Sequence, residues 1–151
     1  MQNLKILNKK EIKQIFSIIK KQYGCDIDLG HVFLKNDKNR LFITNKDIIK
    51  IDLSKLRINS VGLYIAELRD NEIRLSIEGS QLIGPYAKKN IIELDEEQTR
   101  KWMKGEDLEI KGEYHGFVIL KNKNDYLGSG RYSNGRIFNY VSKVRRLMVN
   151  S

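Results

Sequence analysis

The chain has 151 residues, 40% apolar and 31% charged. That balance argues against disorder and leaves room for one ordinary domain or two small ones. Lys and Arg outnumber Asp and Glu by 28 to 19, a net charge of +9 that favours polyanionic partners, nucleic acid or an anionic membrane surface. The lone cysteine, Cys25, excludes an intramolecular disulfide, and a single proline excludes a proline-rich linker or ligand. No apolar run approaches the ~18 residues of a membrane span, and the N-terminus lacks the apolar stretch of a signal peptide. The expectation is a cytoplasmic protein.

The first predicted element is a helix. Asn8 is placed as an N-cap with Glu11 three positions on, a capping box. Ile12, Ile15, Phe16, Ile19 and Tyr23 then recur at helical spacing, while Lys10, Lys13, Lys20 and Lys21 take other faces, and Gly24 stops the helix. Val32 to Lys35 and Arg40 to Thr44 read as strands around the turn-rich Asn36-Asp37-Lys38-Asn39. Lys46 to Ile51 suits a short helical turn behind Asn45. Val61 to Leu68 and Ile73 to Ile77 read as a hairpin joined by Arg69-Asp70-Asn71-Glu72.

The second half changes character. Ser80 to Ala87 suits a short helix interrupted by Pro85. Asn90 to Leu94 reads as a strand, and Asp95 to Lys104 as a helix whose acidic start suits its dipole. Leu108 to Lys111 and Gly116 to Lys121 follow as strands. Asn134-Gly135 is the strongest hairpin signal, between Leu127–Tyr132 and Arg136–Val141. So many short strands in the last half of the chain predict a small closed or nearly closed barrel. The fold class is α+β: an α+β unit over residues 1–75, then a β-barrel unit over 76–151.

Charge is uneven along the chain. Residues 1–75 carry 15 Lys/Arg against 9 Asp/Glu, residues 76–120 carry 6 against 9, and residues 121–151 carry 7 against 1. The last group is interleaved with Tyr126, Tyr132, Phe138 and Tyr140. Cations beside aromatics on a strand-rich surface suit RNA, the cations meeting phosphates and the rings stacking on unpaired bases. The rings equally suit a barrel core, with only the cations facing out.

No catalytic signature stands out. His31 and His115 lack Cys or carboxylate partners at metal-ligand spacing, and nothing near Cys25 marks an activated thiol. Gly128-Ser129-Gly130 is not followed by the Lys-Ser/Thr pair of a phosphate-binding loop and reads as strand curvature. Asp95, Glu96 and Glu97 are helix N-terminal charges. No metal, cofactor or catalytic role is assigned.

Ser60-Val61-Gly62-Leu63-Tyr64-Ile65, Ile73-Arg74-Leu75-Ser76 and Leu82 through Pro85-Tyr86-Ala87-Lys88 follow an order that resembles the Nip family of ribosome-biogenesis proteins. Gly116-Phe117-Val118-Ile119-Leu120 with Leu127-Gly128-Ser129-Gly130 resembles the later strands of that family's PUA domain. The run from Gly130 to Val141 also resembles the PUA-type tail of Sun-family RNA cytosine-5 methyltransferases, whose catalytic domain and cysteine motifs have no counterpart here. The resemblance implies a pre-PUA domain followed by a PUA barrel that clamps structured RNA through a short helix, its flanking loop and a late strand. Carried over, it assigns Tyr86, Lys88 and Lys89 to the early helix and loop. Arg131 and Arg136 fall on the late hairpin, and Lys143, Arg145 and Arg146 on the C-terminal stretch.

The resulting expectation is a non-catalytic RNA-binding protein acting on ribosomal RNA during large-subunit assembly. A second reading is a stand-alone PUA recognition subunit acting in trans with an RNA-modifying methyltransferase; a third is a protein-interaction adaptor. Expected partners are ribosomal or transfer RNA, with ribosome-assembly factors or an RNA methyltransferase, and no membrane.

Overall fold

The computed structural model describes residues 4–27, 30, 32–44, 62–141 and 143–146. The predicted turn over Lys46 to Ile51, His31, Ser60 of the resemblance motif, and Val61 at the start of a predicted strand lie outside the described residues.

Helix α1 spans Lys9–Tyr23 and is built as the sequence predicts. The Asn8 side chain accepts the Glu11 N–H at 2.9 Å, and the Glu11 carboxylate accepts the Asn8 N–H at 3.1 Å, so two orphan donors of the first turn are satisfied. At the other end Gly24 takes φ +72°, a left-handed cap open to glycine. Ile15, Ile19 and Tyr23 are buried, each large apolar side chain stabilising by roughly 1.5–3 kcal/mol.

These residues face an antiparallel five-stranded sheet in the order β1-β2-β3-β4-β5. Its strands are β1 (Lys5–Ile6), β2 (Val32–Lys35), β3 (Arg40–Thr44), β4 (Leu63–Arg69) and β5 (Glu72–Leu75). Phe33, Leu41, Ile43, Ile65, Ile73 and Leu75 join the helix in one core, with Phe16 edge-on to Phe33. The Asn36 side-chain oxygen accepts the N–H groups of Lys38 and Arg40, both at 3.0 Å, and Asn39 turns the chain at φ 61°. The hairpin after β4 is tighter than predicted, with Asp70 and Asn71 at its tip.

The predicted strand Ile73 to Ile77 ends at Leu75. Ser76 instead caps α2 (Ile77–Ile83), its hydroxyl accepting the Gly79 N–H at 3.0 Å. The helix predicted to begin at Ser80 therefore starts three residues earlier. Gly84–Tyr86 continues as a 3-10 turn containing Pro85. Gly79 is where α2 meets β4, since a Cβ there would lie 1.9 Å from the Ile65 carbonyl oxygen.

The second sheet runs β6-β8-β9-β10-β7. Its strands are β6 (Ile91–Glu93), β7 (Leu108–Glu109), β8 (Gly116–Asn122), β9 (Asp125–Ser133) and β10 (Arg136–Asn139). Among the described residues only the β6–β8 pair is parallel. Asn134 and Gly135 both have positive φ between β9 and β10, which the predicted two-residue hairpin turn requires. The expected barrel forms in part: among the described residues the sheet curls without closing fully. The short strands β6 and β7 are the two edges, and among the described residues they do not pair. The sheet curls as a half-barrel, with a register shift in β8 after Ile119. Helix α3 (Glu96–Met103) fills the hollow with Trp102, fully buried and donating its indole N–H to the Leu127 carbonyl at 3.1 Å.

Ile92, Leu94, Trp102, Leu108, Val118, Leu120, Ile137 and Val141 form the core of the half-barrel. The first core does not stop at the first sheet: Ile83 of α2 and Ile119 of β8 belong to it. Polar fasteners cross the same junction, Ser129 Oγ donating to the Leu75 carbonyl at 2.8 Å and Gly128 N–H to Ser80 Oγ at 2.9 Å. Among the described residues no helix is long and apolar enough to cross a membrane.

Candidate nucleic-acid interface

Lys88 and Lys89 sit on a loop tied to the end of α1. Both backbone N–H groups donate to the Tyr23 carbonyl, at 2.8 and 3.2 Å, and the Asn90 side-chain amide donates to the Gln22 carbonyl at 2.7 Å. The last carbonyls of a helix need such donors, so this loop completes the C-terminal end of α1 beyond its Gly24 cap. Its two lysine side chains are exposed and, among the described residues, form no ion pair. They line a groove of about 620 Å³ with Lys21, Tyr114 and His115, and with the carboxylates of Glu72 and Glu113. Tyr86, 59% exposed, stands just before them.

The later cations are held differently. Arg131 pairs with Glu72 at 3.3 Å and lies over Phe117, while Arg136 pairs with Asp107 at 3.0 Å and lies over Phe138. Arg145 reaches Glu78 at 2.7 Å. All three are solvent-accessible pairs, worth about 0–1 kcal/mol each, so a phosphate can exchange for the carboxylate at little cost. Lys143 is exposed. Arg146 differs from the rest: its Nε donates to the Val141 carbonyl at 3.0 Å and its guanidinium covers Gly105. It ties down the C-terminal segment. The structure thus places the eight predicted residues in separate groups, with the Lys88–Lys89 groove connected to the hairpin through Glu72.

The four interleaved aromatics divide evenly. Tyr132 is structural, edge-on to Tyr114, with its hydroxyl in reach of the Ile110 and Gly112 carbonyls at 3.0 and 2.9 Å. Tyr126 packs on the first core beneath Lys121. Phe138 and Tyr140 are exposed, each beneath an arginine, Arg136 and Arg74 respectively. Cys25 is buried, and desolvation pushes its thiol up, away from reactivity. Among the described residues no group of three or more His, Cys, Asp or Glu side chains could hold a metal ion.

Arg40, Tyr64 and Arg74 are cleft residues that reasoning from sequence did not single out. Together with Tyr140 and Arg145 they line a cleft of about 290 Å³ between the two sheets. For Arg74 a signal exists: alternation along β5 buries Ile73 and Leu75 and turns Glu72 and Arg74 to the other face. For Arg40 there is none, because a basic residue at a strand start is ordinary.

A curled sheet plugged by a tryptophan-bearing helix, with basic loops at its edges, is a PUA-like arrangement. Residues 89–147, which contain that sheet, match the family model of the methyltransferase RsmF PUA domain. The chain is homologous to that portion of RsmF-type ribosomal RNA methyltransferases. Ribosomal RNA small subunit methyltransferase F of Vibrio cholerae is 26% identical over 132 residues, covering 86% of this chain and 27% of the relative. The enzyme of the same name from Aeromonas salmonicida is 28% identical over 135 residues, 89% of this chain and 28% of its own. That of Vibrio parahaemolyticus is 28% identical over 141 residues, 87% and 28% respectively. The chain therefore spans just over a quarter of the length of these curated relatives, and the family match is to their PUA domain, a non-catalytic part. The Sun-type resemblance of the C-terminal run is the one these matches support, and they extend it over most of the chain. A specific Nip-family assignment is finer than they reach.

Proposed function

We propose that this protein is an RNA-recognition unit acting in trans with a methyltransferase catalytic domain, its target ribosomal RNA of the small subunit. The observation that carries the reading is the similarity to RsmF-type enzymes over 86–89% of the chain. The basic groups of the interface support it. Residues 76–151 supply the recognition unit in this reading and residues 1–75 the supporting one. Tyr86, Lys88, Lys89, Arg131, Arg136, Lys143 and Arg145 contact RNA, with phosphates meeting the cations and local RNA shape setting the fit. We set this activity in the cytoplasm, where the buried free thiol of Cys25 stays reduced.

Large-subunit assembly, which a Nip-type relationship would imply, is the finer reading that these relatives do not favour. Crosslinking in native cells followed by sequencing of the bound RNA separates the two. Reads concentrated in small-subunit ribosomal RNA around methylated cytosines are expected. Reads confined to large-subunit RNA would transfer the protein to assembly, and no enriched RNA would overturn RNA recognition altogether.

A further inference from the structure

Arg40 opens β3 at the end of the Asn36 turn, and its guanidinium lies 5.7 Å from the Tyr64 ring centroid. Its Nε is buried and, among the described residues, has no hydrogen-bond partner. A buried donor of a charged group left unpaired costs about 1–3 kcal/mol or more, and because Arg40 lines the cleft an acceptor that enters it and shifts the guanidinium recovers that loss. Arg74 lies 4.7 Å over the Tyr140 ring, steadied from behind by Glu67. Arg145 faces them from the C-terminal turn on its exchangeable pair with Glu78. Cations alternating with ring faces match a nucleotide, since guanidinium groups hold phosphate and both guanidinium and phenol planes stack on bases. The cleft volume of about 290 Å³ is at the small end of ligand sites, which run from ~300 Å³ upward. That suits one nucleotide and not a folded element.

We propose that this cleft receives a single unpaired nucleotide of the bound RNA, its phosphate on Arg40 and Arg145 and its base against Tyr140 and Arg74. The inference rests on the RNA-recognition reading above and adds to it a site formed between the two sheets. The cleft hydroxyls of Ser76 and Ser129 are engaged with the Tyr64 and Leu75 carbonyls, which leaves the arginines and the phenol hydroxyls of Tyr64 and Tyr140 as the side-chain donors that line the cleft.

The test uses the full chain, an RNA hairpin carrying one bulged nucleotide, and the same hairpin fully paired. Arg40→Gln is expected to weaken binding of the bulged hairpin at least about tenfold and to leave the paired hairpin unchanged. Equal losses on both RNAs, or none, overturn the cleft as a nucleotide site while RNA recognition stands. Failure of the unaltered chain to bind either hairpin overturns the recognition reading itself. Because Arg40→Gln can perturb folding, the unaltered chain is also followed by the nitrogen-15 resonances of its arginine side chains. A shift of the Arg40 Nε–H signal with the bulged hairpin alone is expected, and its indifference to that RNA overturns the proposal.

Discussion

Gln22 and Ile73 are hydrogen-bonded twice across 51 positions of sequence: the Gln22 side-chain amide donates to the Ile73 carbonyl and accepts the Ile73 N–H, both at 2.8 Å. One primary amide thereby serves as a one-residue strand on the open edge of β5. Tyr23 adds a hydroxyl bond to the same carbonyl at 3.0 Å. The end of α1 thus joins the edge of the first sheet to the Lys88–Lys89 loop, and the position of that loop depends on both.

Replacing Gln22 by Leu keeps the bulk and removes both bonds, leaving the Ile73 N–H buried without an acceptor. A destabilisation of about 3 kcal/mol is expected, read as a lower urea midpoint with an unchanged slope. A midpoint within error of the parent would show that water replaces the amide.

Gly79→Ala is expected to cost about 3 kcal/mol, at the upper end for overpacking. The obstacle is the Ile65 backbone carbonyl, which cannot swing aside as a side chain can. The thermal midpoint checks it, with Gly135→Ala as a control that meets no neighbour within 4 Å and bears only its positive-φ strain.

Burial raises the pKa of both Tyr23 and Cys25 above their ordinary values of 10.0 and 9.0. Folding therefore favours their protonated forms. This contribution to stability is fully present below about pH 9 and is lost as pH rises through the folded values. Alkaline denaturation followed by urea at stepped pH is expected to show that decline, and Tyr23→Phe to flatten its upper part.

Lys88→Ala with Lys89→Ala should weaken RNA binding. The slope of log K against log salt should fall by about 0.7 for each phosphate of single-stranded RNA that the two lysines no longer neutralise. Arg146→Ala should leave that slope alone and instead speed proteolysis of the C-terminal segment it ties to Val141. Matching slopes for the parent and the lysine variant would remove the loop from the interface.

The elements legible in the sequence were those whose ends carry their own chemistry. Asn8, Glu11 and Gly24 bound α1, the acidic start at Asp95, Glu96 and Glu97 marks α3, and Asn134-Gly135 sets a hairpin. The start of α2 was hidden because Ser76 has Gly79 at the third helical position in place of Glu or Gln, and the isoleucines around it read as strand. Barrel closure was not legible at all: strand count says nothing about whether the two edge strands meet. Of the candidate site, the C-terminal cations were visible through local charge density. The cleft was not, because Arg40, Arg74 and Arg145 come from three distant stretches and only folding brings them to one opening.

The isoleucines shared across the sheet junction have a mechanical meaning. Rotating one sheet against the other would expose Ile83 and Ile119 to water and break the Ser129–Leu75 bond, at roughly 25 cal/mol for each Å² of apolar surface uncovered. The opening between the sheets is accordingly a gauge of preset width. Whatever enters it must already have the right thickness or bend to acquire it, so the conformational adjustment falls on the ligand.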